Sequence, residues 1–157
     1  MHKKDMVAGA IIFAAGDGLA ATIGHEFSWQ RLAGMAVLGG SLYAWEIPAF
    51  FGWIDRRFPL VRAVPDGMLR AALSTLFFNP LWIARHLAFI RWFQNVHPVL
   101  SGDLLTIGLR SFVYALPVAL SVNYGLQNIL AARHRFWVSS VFSGIMAVYY
   151  ALSAAWS

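Results

Sequence analysis

Long apolar stretches separated by short polar clusters dominate the chain. A helix needs roughly 20 apolar residues to cross a hydrocarbon layer of about 30 Å. Five stretches have that character: 6–24, 32–54, 68–93, 104–132 and 136–156. Between them lie the polar turn His25 to Arg31, the stop Asp55-Arg56-Arg57, a connection holding Pro59 and Pro65, and the stop Arg133-His134-Arg135. The pattern predicts an all-α protein, an integral membrane bundle of about five transmembrane helices forming a single domain over residues 1–157. No soluble domain fits between the spans.

Pro48, Pro80 and Pro117 fall within the middle portions of three predicted helices. Each removes a backbone donor and frees a carbonyl, so three of the five helices are expected to kink. Kinked helices that meet at mid-depth either pack tightly or open a small polar cavity. The first stretch follows Lys3, Lys4 and Asp5 and is interrupted by Asp17. With no small-residue cleavage site after it, it is expected to stay in the protein rather than to be a leader.

Composition agrees with this reading. Of the 157 residues 59% are hydrophobic and 12% charged, and the mean hydropathy is +0.61. Ordinary soluble domains carry about 25% charge, and a small soluble domain cannot cover so much apolar surface. The chain has no cysteine, which removes disulfides, thiolate metal sites and cysteine nucleophiles from consideration.

The net charge of +5 is best read through topology. Lys3, Lys4, Arg56, Arg57, Arg62, Arg70, Arg133 and Arg135 lie toward the N-terminal side; Arg31, Arg85, Arg91 and Arg110 lie opposite. That excess places the N-terminus on the cytoplasmic or matrix side. Lys3, Lys4, Arg56, Arg57, Arg133 and Arg135 form an expected rim for anionic lipid such as cardiolipin. No basic run is long enough to suggest a nucleic-acid partner.

Small residues recur at four-residue spacing, as in Ala36, Gly40 and Ala44, in Ala20 and Gly24, and in Ser140 and Gly144. Such rows let helix backbones approach closely in lipid. Ionisable groups inside spans are the sharper signal, because they are expensive there. Asp17 and Arg110 each sit about six residues from the same side, roughly 9 Å deep, so they are a candidate pair. Glu46 near the retained side is within plausible reach of Arg70. Asn79, Asn123, Gln127 and Asn128 add polar groups on the third and fourth helices. These residues are candidates for structural ion pairs or for a pore, and the sequence leaves both open.

Catalytic chemistry has little to stand on. The histidines have no metal-ligand spacing, no Gly-x-Ser-x-Gly elbow is present, and no nucleotide-binding glycine motif occurs. No enzyme activity, metal or cofactor is expected.

The order of features is similar to that of a known family. Gly16-Asp17 lies in the first helix, and Arg31-Leu32-Ala33-Gly34-Met35 opens the second, which closes at Trp53-Ile54-Asp55 before Arg56-Arg57-Phe58-Pro59. The third holds Leu76-Phe77-Phe78-Asn79-Pro80, the fourth Ala115-Leu116-Pro117 with Asn123-Tyr124 six residues on, and the last Tyr149-Tyr150-Ala151-Leu152-Ser153. In these motifs the chain resembles the family of the peroxisomal 22-kDa membrane protein and the mitochondrial Mpv-seventeen protein. It departs from the pattern at Ser74-Thr75, where the family carries Asp-Gln, at Leu120, where it carries Gln, and in lacking a Gly-Pro and a His in helix two. The resemblance implies a channel-like protein of an inner or peroxisomal membrane, without catalytic chemistry.

Two functions are expected from these features. The first is a non-enzymatic structural or accessory subunit, packing helix faces and basic rim against a larger inner-membrane complex and anionic lipid. The alternative is a small-solute channel or transporter. The resemblance favours a mitochondrial over a bacterial inner membrane, with lipids and other membrane subunits as partners.

Overall fold

A computed structural model describes residues 3–60, 62–78 and 80–155. The described residues fold into helices, with no strand among them. The helices are α1 (Lys3–Ile23), α2 (Trp29–Leu38), α3 (Ala44–Arg57), α4 (Ala63–Phe77), α5 (Pro80–Phe93), α6 (Gly102–Asn128) and α7 (Ala132–Ala155). A π turn, Gly39–Tyr43, joins α2 to α3. Two of the described helices, α1 and α6, are long and apolar enough to cross a membrane. The chain packs as two compact units, Met1–Pro48 with Phe136–Ser157, and Ala49–Arg135.

In the first unit α1 turns into α2 through residues 24–28. His25 takes a left-handed conformation at φ 56°, and Glu26 donates its N–H back to the Ala21 carbonyl at 2.8 Å, closing the helix end. Ser28 then caps α2, its Oγ accepting from the Arg31 N–H at 3.1 Å. The two helices cross where neither carries a side chain. A Cβ on Gly9 would sit 2.2 Å from the Gly39 carbonyl oxygen, and one on Gly16 would sit 2.7 Å from the Cα of Gly144 in α7. Backbone contact of this kind is what small residues make possible between helices. Gly40 of the predicted rows joins it, against Met6 and Ala10, whereas Gly24 meets only carbonyls of its own helix. Phe13 and Tyr43 fill the adjoining core, with ring centroids 4.8 Å apart.

The second expected helix, 32–54, is longer than expected and interrupted. It runs from Trp29 to Arg57, and the Ala44 N–H reaches back five residues to Gly39 at the π turn. Pro48 lies one turn beyond and leaves the Ala44 carbonyl without its helical donor. Irregularity in a helix has such local causes.

In the second unit α4 and α5 both pack along α6. Gly67 of α4 lies against Tyr124 and Asn128, and Gly108 of α6 lies so close to α5 that its Cβ would come 2.6 Å from the Pro80 carbonyl oxygen. Ala84, Ala88 and Leu104 form a small core there, with Leu87 and Val99 packed on it. The single predicted span 68–93 is therefore corrected to two helices, α4 and α5. Pro80 has no N–H to donate, and its ring excludes the carbonyl four residues back. It starts a helix, a position proline favours, and Phe78 before it has already left helical geometry at ψ 46°. Pro117, by contrast, is carried inside the continuous α6.

Candidate functional site: two buried ion-pair centres

The first unit holds a fork between α1 and α2. Arg31 Nε donates to Asp17 Oδ2 and Nη2 to Oδ1, each at 2.7 Å. The side chains are 8% and 3% exposed. Arg31 Nη1 lies 3.4 Å from Glu26 Oε2 at the outer edge. A planar guanidinium matches a carboxylate at two points, which suits it to a buried pair. The hairpin supplies the register, since Asp17 lies six residues before the end of α1 and Arg31 lies in the first turn of α2.

The expected pair of Asp17 with Arg110 is thereby corrected. Both carboxylate oxygens are taken by Arg31, and Arg110 stands exposed on α6, its guanidinium 5.8 Å from the ring of Tyr114 one turn on.

The second unit gathers charges where the ends of α3 and α6 meet α4 and the start of α7. Asp55 accepts from Arg135 Nη1 at 2.7 and 2.8 Å and from Arg70 Nη2. Arg70 is 4% exposed and donates further to the Phe58 carbonyl at 2.8 Å and the Gln127 carbonyl at 3.1 Å. Arg135 Nε donates to the Leu130 carbonyl at 3.1 Å. Gln127 Oε1 lies 3.4 Å from both guanidinium groups.

Two cations thus share one carboxylate, and carbonyls at helix C-terminal ends supply the remaining negative potential. Burial pushes the Asp55 carboxyl up, but hydrogen bonds from Arg135 and Arg70, with their positive charge, outweigh it and hold the group below its ordinary value. Arg70 was expected to face Glu46; its guanidinium is instead committed to Asp55, Phe58 and Gln127. Arg135 was expected on the lipid rim. It is half-buried in this cluster instead, because Asp55 and the Leu130 carbonyl draw it inward.

A polar seam continues from Arg70 between α4 and α6. Asn123 Nδ2 donates to Thr75 Oγ1 at 3.1 Å with both residues buried, and Asn128 Nδ2 donates to the Gly67 carbonyl at 3.1 Å. Asn123 therefore bridges helices. Ser74 and Gln127 are fully buried beside it. Glu46 is half-buried in the first turn of α3, and Asn79 lies outside the described residues. Lys3, Lys4, Arg56, Arg57 and Arg133 are exposed.

Among the described residues, no cluster of three or more His, Asp or Glu side chains is placed to hold a metal ion. Sequence reasoning missed Arg31, Asp55 and Thr75. The signal for Arg31 was present, since the short polar turn His25 to Arg31 joins its helix to that of Asp17. Comparison with protein-family models, with curated proteins and with solved structures gave no match for the chain.

Proposed function

We propose that the chain is a non-enzymatic integral membrane protein of about five spans, a structural or accessory subunit that packs its helices against lipid and against partner helices. The observation that carries the reading is the surface of α6. This helix has 27 residues, and only 6% of its apolar window is buried. Leu109, Val113, Tyr114, Leu116 and Val118 all face outward. Apolar patches of this extent seek lipid or another protein. The charged and polar groups of the helices support the structural side of the reading, because Asp17, Arg31, Arg70, Asn123 and Thr75 are spent on helix-to-helix bonds.

The basic rim and the resemblance noted above favour an inner membrane, mitochondrial or bacterial, with the N-terminus on the matrix or cytoplasmic side. Mild-detergent purification at native expression, followed by a native gel and mass spectrometry, tests the subunit role. Migration in a larger complex is expected. A lone monomer or small homo-oligomer contradicts it.

A second reading, a small-solute channel, is favoured by one observation. Arg70 Nε, Ser74 Oγ and Gln127 Nε2 are buried on the α4–α6 seam without a protein partner. Polar groups in that state are the ones that solvate a solute or water. Liposomes holding the purified chain would then leak small solutes, and Gln127→Leu would change the leak. Leak no greater than that of empty liposomes rejects the channel.

A further inference from the structure

The connection from α3 to α4 carries an open cavity of about 270 Å³ lined by Arg57, Phe58, Pro59, Arg62, Asp66 and Leu69. Its lining divides by chemistry. Arg57 and Arg62 are exposed and bring two guanidinium groups. Asp66 is the single carboxylate, and one of its oxygens already accepts from the Arg62 backbone N–H. The cavity is left with an excess of one positive charge. Arg70 and Arg135, in the same unit, are held by Asp55.

The rest of the lining is apolar. Phe58, Pro59 and Leu69 form it, and Leu60, Val64 and Met68, their neighbours in sequence, are exposed by 47%, 64% and 45%. Val64 and Met68 are one turn apart, so they share a helix face. A guanidinium pair beside an exposed apolar lane fits a molecule with a phosphodiester at one end and a hydrocarbon chain at the other. A free phosphate would satisfy the arginines and leave the lane unused. Basic pockets at the cytoplasmic or matrix ends of spans are where anionic headgroups collect.

We propose that this cavity binds the phosphodiester headgroup of an anionic phospholipid, with an acyl chain laid along Leu69, Met68 and Val64. The assignment rests on the membrane reading above and narrows its lipid-binding rim to one site. Arg62, absent from the expected rim, becomes a principal contact, and Asp66 sets a limit on how much negative charge the headgroup brings.

Native mass spectrometry of the full chain released from detergent micelles tests it, with phosphatidylglycerol, phosphatidylcholine or inorganic phosphate added. The wild-type chain should retain phosphatidylglycerol over phosphatidylcholine, and phosphate should not displace it. Arg57→Gln with Arg62→Gln should weaken that retention about thirtyfold, and Arg57→Gln alone about fivefold, at unchanged helicity. Arg91→Gln, outside both the cavity and the expected rim, should leave it unchanged. Displacement by phosphate would reassign the cavity to a free anion and overturn the proposal. Undiminished retention by both cavity variants would also overturn it, as would an equal loss in Arg91→Gln. Alkaline carbonate extraction separates the two levels: release of the wild-type chain from membranes rejects the membrane reading, whereas a retained chain with undiminished lipid binding in the cavity variants rejects only the site.

Discussion

Asp17 and Arg31 meet as a two-point fork, Nε to Oδ2 and Nη2 to Oδ1 each at 2.7 Å, with both side chains more than nine-tenths buried in the α1–α2 hairpin. Taking one partner away leaves the other charge uncompensated. Breaking such a pair costs about 3–5 kcal/mol, whereas replacing both charges by apolar groups is often close to neutral. Asp17→Ala should therefore destabilise far more than Asp17→Leu combined with Arg31→Met. Denaturant titration in detergent micelles, followed by far-UV circular dichroism, reads the difference. Equal losses in the two variants would remove the fork from the account.

The Asp55 cluster makes stability depend on pH. Its folded-state carboxyl titrates below the ordinary value because Arg135 and Arg70 hold it ionised. Its contribution is therefore fully present above the unfolded value of about 3.9 and is lost as pH falls through the lower folded value. Melting temperature should fall between about pH 5 and about pH 2, and Asp55→Asn should lose part of that dependence while being less stable at neutral pH. An identical pH profile in the variant would contradict the cluster.

Glycine contacts give predictions of opposite sign. At Gly9 an added methyl meets the Gly39 backbone at 2.2 Å, so Gly9→Ala should force α1 and the π turn apart and lower the melting temperature. At Gly125, inside α6, nothing lies within 4 Å. Gly125→Ala should stabilise by about 0.5–1 kcal/mol through helix propensity alone. Thermal melts of the two variants decide it, and destabilisation of both would contradict the packing described.

The bond from Asn123 to Thr75 joins α6 to α4. Buried hydrogen bonds between membrane helices contribute roughly 0.6 kcal/mol on average. Thr75→Val leaves the Asn123 amide without this acceptor and should cost more than Thr75→Val combined with Asn123→Leu. A double-mutant cycle on unfolding free energy measures the coupling. A coupling of zero would mean that the seam holds the helices by shape alone.

The helical class was legible in the long apolar stretches, and so were the stop at Asp55-Arg56-Arg57 and the start of α7 near Arg133. The break after Phe77 was harder to read. A proline inside an apolar run is carried by α6 at Pro117 but begins a helix at Pro80, and that choice depends on how α5 packs on Gly108. Pairing partners were the least legible, because depth along a span says nothing of which neighbour faces inward. Arg110 was expected at the depth of Asp17 from its place along the span, yet Arg31 arrives through the adjacent turn with its fork already aimed. Asp55 read as a polar stop and Arg135 as rim, since their meeting requires two helix ends eighty residues apart in sequence to converge.

The membrane reading proposed above requires α6 in lipid and the arginine-rich ends of the spans in water. The chain contains no cysteine, so a single introduced thiol reports from one place. Val113→Cys on the exposed face of α6 and Arg56→Cys at the end of α3 should be compared in intact membranes, using a charged, water-soluble maleimide and an apolar, lipid-soluble one. Val113→Cys should react only with the lipid-soluble reagent and Arg56→Cys readily with the charged one. Ready labelling of Val113→Cys by the charged maleimide would place α6 in water and contradict the account.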